Sequence, residues 1–217
     1  NLVEIHSLDY RAAGLSDLGQ PQGYTARQID GWSKRYHAAR TDNVPTIESL
    51  ILWLSSNTPP DSGRGALIHN DYKYDNLVLA PDDLSKVVAV LDWEMATIGD
   101  PLMDLGTSLA YWVEPNDPAD WQRYGFGLTR MPGSLSRLEV LEHYTSRTHQ
   151  DQSSFVFYYA YGLFKVAVIV QQIYFRYRKG LTRDPRFANL GHLVVACGNL
   201  AQRAIEKARI DDLGTER

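Results

Sequence analysis

The sequence predicts an α+β fold, predominantly helical, in which a few short strands carry loops between helices. Three observations predict it. Apolar residues recur at helical spacing over much of the chain, as at Ile29, Trp32 and Tyr36. That period is lost after the breaker run Pro59-Pro60-Asp61-Ser62-Gly63-Arg64-Gly65, where short apolar runs replace it. A continuous apolar stretch from Phe155 to Val170 then marks a buried helix.

Element by element, Thr25 is the expected N-cap of a helix running to about Arg40. A second helix is expected from Ile47 to about Ser55, with Leu50, Trp53 and Leu54 on its apolar side. Three short strands follow the breaker run: Ala66 to His69, Leu77 to Leu79, and Val87 to Leu91. Pro81-Asp82-Asp83 supplies the turn between the last two. Asp100-Pro101 reads as an N-cap with proline at the first helical position, opening a helix to about Trp112. Ser136 and Glu139 form a capping box for the next. The apolar run from Phe155 spans about 16 residues and contains Lys165. A bilayer needs roughly 20 apolar residues, so a core helix to about Arg178 is expected instead. A last helix runs from about Pro185 to Ala208.

Composition narrows the function classes. The net charge of −4 and pI near 5.9 give no reason to expect nucleic acid or an anionic membrane as partner. Cys197 is the only cysteine, so no intrachain disulfide can form and a reducing, cytoplasmic setting is expected. The N-terminus has no secretory pattern. It opens directly in apolar-periodic sequence without Met, as a chain cut from something longer would.

The chemistry concentrates between the strands. His69-Asn70-Asp71-Tyr72-Lys73-Tyr74-Asp75-Asn76 lies between the first and second, and Asp92 comes sixteen residues after Asn76, at the end of the third. Glu94, Gly99-Asp100-Pro101 and Asp104-Leu105 follow. Singly, an Asp or Asn in a loop is most often a turn former. Jointly, one carboxylate that can face a hydroxyl and two hard oxygen donors that can face a divalent cation are what phosphoryl transfer requires.

The pattern His-x-Asp, four residues, Asn, an apolar strand ending in Asp, then Gly-Asp-Pro-x-x-Asp-Leu resembles the aminoglycoside phosphotransferase and choline kinase family, which has the protein-kinase-like fold. The stretches GYTARQIDGWSKRY, VVAVLDWEMATIGDP and FKVAVIVQQIYFRY resemble the subgroup of kinase-like domains associated with acyl-CoA dehydrogenases. The resemblance implies a C-terminal catalytic lobe over residues 1–217. It implies Asp71 as base, Lys73 as neutraliser of phosphoryl charge, and His69 as a loop member supporting Asp92. Asn76 and Asp92 would hold Mg²⁺, and Asp104 would pin the loop. Asn70 replaces the usual Gly of that loop, and Asn tolerates positive φ. Asp100 reads as a helix cap, while Glu94 has two open readings, a water-mediated metal contact or a surface ion pair.

The same resemblance implies Mg²⁺ and ATP as cofactors and a hydroxylated small molecule as acceptor. It also implies a Gly-rich nucleotide lobe, yet the 68 residues before His69 read as helices without Gly-x-Gly-x-x-Gly. The expectation is a chain that carries the catalytic lobe without that N-terminal lobe, with weak nucleotide affinity and little activity in isolation. Tyr111, Trp112, Lys165, Tyr174 and Arg176 are expected in the acceptor pocket, which the absence of acidic residues from Phe155 to Tyr177 suits to an apolar or anionic acceptor, such as a hydroxylated acyl-CoA-like metabolite. Lys165 also reads as a buried lysine satisfied by a partner. An aminoglycoside or amino-alcohol kinase, a metal-dependent phosphohydrolase and a non-catalytic pseudokinase remain as alternatives.

Overall fold

The computed structural model describes all residues except 62, 64, 125–127 and 215–217, so Ser62 and Arg64 of the breaker run lie outside the described residues. Eight α-helices and four short strands are assigned among the rest. The helices are α1 (Leu2–His6), α2 (Tyr24–Ala39), α3 (Pro45–Ser56), α4 (Pro101–Ala110), α5 (Ala119–Gln122), α6 (Arg137–Thr148), α7 (Phe155–Arg178) and α8 (Leu190–Lys207). The strands are β1 (Ala66–Ile68), β2 (Leu77–Ala80), β3 (Asp83–Val90) and β4 (Thr97–Gly99).

Local chemistry explains most boundaries. Asp100 caps α4, its Oδ1 accepting the Leu102 N–H at 2.8 Å, with Pro101 at the first position. Ser136 and Glu139 close their capping box, Ser136 N–H to Glu139 Oε2 at 2.7 Å and Glu139 N–H to Ser136 Oγ at 3.1 Å. The expected Thr25 cap is corrected. The N-cap of α2 is Gly23 at φ 65°, one residue before Tyr24. The last helix is also shorter than expected, because a separate 3₁₀ turn, Pro185–Phe187, precedes α8.

Four strands stand where three were expected. The fourth, β4, has the sequence Thr-Ile-Gly and too little pattern to be read locally. It exists because it pairs antiparallel with β1, Leu67 opposite Ile98. A hairpin pairs β2 with β3, Leu77 opposite Val90, with irregular register around Leu79. The strand β3 reaches back to Asp83, and β1 stops at Ile68, which leaves His69 as the first loop residue.

The helices supply the core. The 24-residue α7 is long and apolar enough to cross a bilayer by length and composition, yet 78% of its most apolar window is buried. It runs through the centre against α2, α3, α4 and α8. Its closest approach is to α4, at two glycines. A Cβ on Gly106 would lie 2.2 Å from the Tyr158 carbonyl oxygen, and one on Gly162 would lie 2.2 Å from the Gly106 carbonyl oxygen. Backbone meets backbone there, so neither site has a flexible side chain that could move aside. Near the C-terminus, buried Arg137 bonds Glu114 (2.9 Å), Asp117 (2.5 Å) and the Ile210 carbonyl (2.6 Å). That ties α6 to the chain beyond α8.

Gly106→Ala should therefore destabilise the fold by about 2 kcal/mol or more, the overpacking range. Denaturant unfolding would measure it, and a loss below about 0.5 kcal/mol would mean that the two helices separate freely.

Candidate active site

Both strand pairs deliver their loops to one place. The segment from His69 to Asn76 joins β1 to β2, and Asp92 follows β3 after one intervening residue, Leu91. The Leu91 N–H donates to the Asn76 carbonyl at 2.8 Å, which sets Asp92 beside Asn76 at the open end of the β2–β3 hairpin.

His69 is fully buried and bonded on both ring nitrogens. Its Nδ1 accepts the Asp71 N–H (3.2 Å), so its Nε2 carries hydrogen and donates to the Leu91 carbonyl (2.8 Å). The imidazole thus bridges the Asp71 and Asp92 segments and has no free nitrogen to act as a base.

Asn70 sits at φ 68° and is held from four sides. Its N–H donates to Asp104 Oδ1 at 2.7 Å, and its carbonyl accepts from Lys165 Nζ at 2.7 Å. Its side-chain amide reaches the Tyr24 hydroxyl at 3.2 Å and the Met95 carbonyl at 3.0 Å. Asp104 Oδ2 accepts the His69 N–H at 2.7 Å and lies 3.1 Å from His6 Nε2, whose other nitrogen contacts the Tyr144 hydroxyl at 2.7 Å. Burial alone would raise the Asp104 pKa. The hydrogen bond and charge of His6, the His69 N–H and the Lys165 ammonium outweigh it and hold the carboxyl below its ordinary value.

Asp71 lies at the front of this loop, partly exposed. Its Oδ2 takes a hydrogen bond from Lys73 Nζ at 2.8 Å and from Asn76 Nδ2 at 3.1 Å, and Asn76 Nδ2 also donates to the Asp71 carbonyl at 2.8 Å. The Lys73 ammonium stands 4.9 Å over the Tyr111 ring. The Tyr111 hydroxyl is pushed up in pKa, first by burial and then by the charge and hydrogen bond of Asp71. The structure thus gathers Lys73, Asn76 and Tyr111 around Asp71, and hydrogen bonds link the group to the segment of Asp92.

The donor set fits a divalent cation. Asn76 spends its NH₂ on Asp71, which leaves Oδ1 as its ligand atom, and Asp92, two residues past β3, is exposed. No group of three or more His, Cys, Asp or Glu with metal-binding spacing occurs among the described residues. A Mg²⁺ that takes phosphate oxygens and water for its remaining positions needs only one or two such protein ligands. Glu94 is exposed and makes no ion pair among the described residues.

Among the described residues three cavities border the loop, one of about 880 Å³ along Tyr72, Lys73, Tyr74, Leu77 and Trp112, and two smaller ones. One, about 230 Å³, opens at Lys73 and is walled by Ser108, Tyr111, Trp112, Val166 and Val170. The other, about 290 Å³, opens at Asn70 and is walled by Tyr24, Trp32 and Lys165. Of the five expected pocket residues, Tyr111 and Trp112 line the first and Lys165 the second. Tyr174 and Arg176 line neither cavity. They sit at the far end of α7, where Tyr174 packs on Gly191 and bonds Arg178 (3.0 Å), and Arg176 is exposed. About eleven residues of helix separate Arg176 from Lys165, roughly 16 Å at the α-helical rise. Sequence reading missed His6 and Tyr24, whose partners lie 98 and 46 positions away; no local pattern signals either.

A loop joining two short strand pairs, braced by a helix aspartate within a helical body, is the arrangement of the C-terminal lobe of a kinase-like fold. The chain belongs to the phosphotransferase enzyme family, whose family model matches residues 1–138. It resembles acyl-CoA dehydrogenase family member 11 of Gallus gallus, 34% identical over 182 residues, and family member 10 of Mus musculus, 34% identical over 202. Those matches cover 82% and 92% of this chain but only 23% and 19% of the relatives. A Ralstonia eutropha structure solved under the provisional name aminoglycoside phosphotransferase superposes with TM-score 0.79 at 29% identity, over 93% of this chain and 62% of that one.

Lys165 gives the site a pH signature. Burial lowers its pKa from 10.5 to about 8, with Asp104 and Asp71 pulling it up, and Arg35 and Lys73 pushing it down. Between about pH 8 and 10.5 the unfolded chain holds this proton and the folded chain does not. The burial cost is therefore full below pH 8 and is relieved as pH rises to 10.5. Unfolding free energy of the native chain, measured relative to Lys165→Met, should climb across that window. A flat difference would mean that Lys165 titrates normally.

Proposed function

We propose that the chain is the catalytic and acceptor-binding lobe of an ATP-dependent kinase acting on a hydroxyl group of a small molecule. The observation that carries this reading is the contact set Lys73–Asp71–Asn76, tied through Leu91 to Asp92. In the proposed reaction the acceptor oxygen forms a bond to the γ-phosphorus as the bond to the β-phosphate oxygen breaks. Asp71 takes the hydroxyl proton and ADP leaves. Lys73, already paired with Asp71, is within reach of the charge on the transferred group. Asn76 and Asp92 would hold Mg²⁺, which when bound neutralises phosphate charge.

The largely apolar cavity beside Lys73 and Tyr111 carries one carboxylate, Asp75, among its walls. A polycationic acceptor would call for more. This favours a hydroxylated molecule with an apolar chain, such as an acyl-CoA-like metabolite, over an aminoglycoside. Clasping of the nucleotide is assigned to parts of the protein that this chain does not span, in keeping with its 62% coverage of the Ralstonia structure.

Asp71→Asn in the full-length protein should lower turnover with Mg·ATP and a hydroxylated acceptor by roughly 10³-fold. The substitution keeps size and loses the base. Coupled assays of ADP release with and without acceptor would measure it. Undiminished turnover removes Asp71 from the reaction, and phosphate release that needs no acceptor replaces the kinase by a phosphohydrolase.

A further inference from the structure

We infer that the second cavity, between α2 and α7, is an anion-binding subsite that receives a carboxylate or phosphate group of the acceptor. This rests on the kinase reading for its role in catalysis, and on its own geometry for the binding.

Three cations surround the cavity: Arg27 and Arg35 on α2, and Lys165 on α7. Among the described residues none of them forms an ion pair. The carboxylates that act on them across space are already engaged. Asp61 accepts the Gly23 N–H (2.5 Å), Asp71 accepts from Lys73, and Asp104 accepts the two loop N–H groups. Arg27 donates only to main-chain carbonyls, those of Gln20 and Gln22.

The clustering is close. Trp32 carries both other cations on its indole, Arg35 Cζ 4.5 Å and Lys165 Nζ 5.7 Å from the ring centroid. Like charges gathered this closely repel, and a bound anion relieves that repulsion. Lys165 is 1% exposed, and its Nζ meets two acceptors, the Asn70 carbonyl (2.7 Å) and Asn70 Oδ1 (3.2 Å). An ammonium has three donors, so one N–H remains for a ligand. Gln28, Thr97 and the Tyr24 hydroxyl add neutral polar groups to the wall, and among the described residues no carboxylate lines it.

Position gives the site its meaning. Asn70 lines this cavity and Lys73 lines the other, with Asp71 between them in the chain. An acceptor anchored by its anion on Arg27, Arg35 and Lys165 has its hydroxyl directed toward the Asp71 loop and its apolar part toward Tyr111 and Trp112. The subsite selects against the polycations that the Lys73 cavity alone would exclude only weakly.

Calorimetry on the full-length protein would test this with three probes at constant ionic strength. They are a hydroxylated medium-chain carboxylate, its methyl ester, and the matching hydroxyalkyl phosphate. At least one anionic probe should bind about tenfold or more tighter than the ester, and whichever is tighter identifies the anion. Arg35→Gln should shrink that ratio, and Arg27→Gln/Arg35→Gln should bring it near one. Both arginines are exposed, so the core does not depend on them. An ester that binds as well as either anion overturns the inference, as does a ratio unchanged in the double variant. Phosphoryl transfer from Mg·ATP to the same probes is scored separately. Arginine-dependent binding without transfer keeps the subsite and removes the kinase reading, while transfer with no preference for anions does the reverse.

Discussion

The site depends on one buried carboxylate. Asp104 is fully buried in α4 and offers both oxygens to backbone N–H groups of the loop, His69 and Asn70, at 2.7 Å each. A buried charge is tolerated only when it is paired and hydrogen-bonded. Here His6 supplies a further contact, and Lys165 supplies compensating charge from α7. The arrangement holds Asn70 in left-handed backbone, and that turn points Asp71 forward. A loop with these N–H groups unpaired would be free to relax away from the strained conformation.

The helical body exists, in functional terms, to bring those groups to the loop. Asp104 comes from α4 and Lys165 from α7, and both reach Asn70 because the two helices touch backbone to backbone at Gly106 and Gly162. The strand pairs do the complementary job. They add little core but fix the ends of the loop, and through the Leu91–Asn76 and His69–Leu91 bonds they fix Asp92 to the same frame. Rigid elements thus position a loop that is itself irregular, the usual division of labour in a binding site.

Much of this was readable from residues alone, for physical reasons that differ by element. The helices α4 and α6 carry their boundaries in cap chemistry, so Asp100-Pro101 and Ser136/Glu139 place them without tertiary information. The spacing from His69 to Asn76 and on to Asp92 and Asp104 is local and ordered, so the loop could be located. What could not be read is whatever rests on distant pairing. The strand β4 has three residues and acquires its identity from β1, about thirty positions earlier. His6 gives no sign in its own neighbourhood that it will meet Asp104. Tyr174 and Arg176 lie on the right helix but too far along it, because aromatic and basic content along α7 says nothing of which turn faces the loop.

The brace itself is open to direct measurement. Amide hydrogen exchange at His69 and Asn70, compared between the native chain and Asp104→Ala, reads whether that carboxylate holds the loop. The account predicts that both amides lose protection in the variant while those of α8, remote from the brace, keep theirs. Protection at His69 and Asn70 that survives the substitution would contradict it.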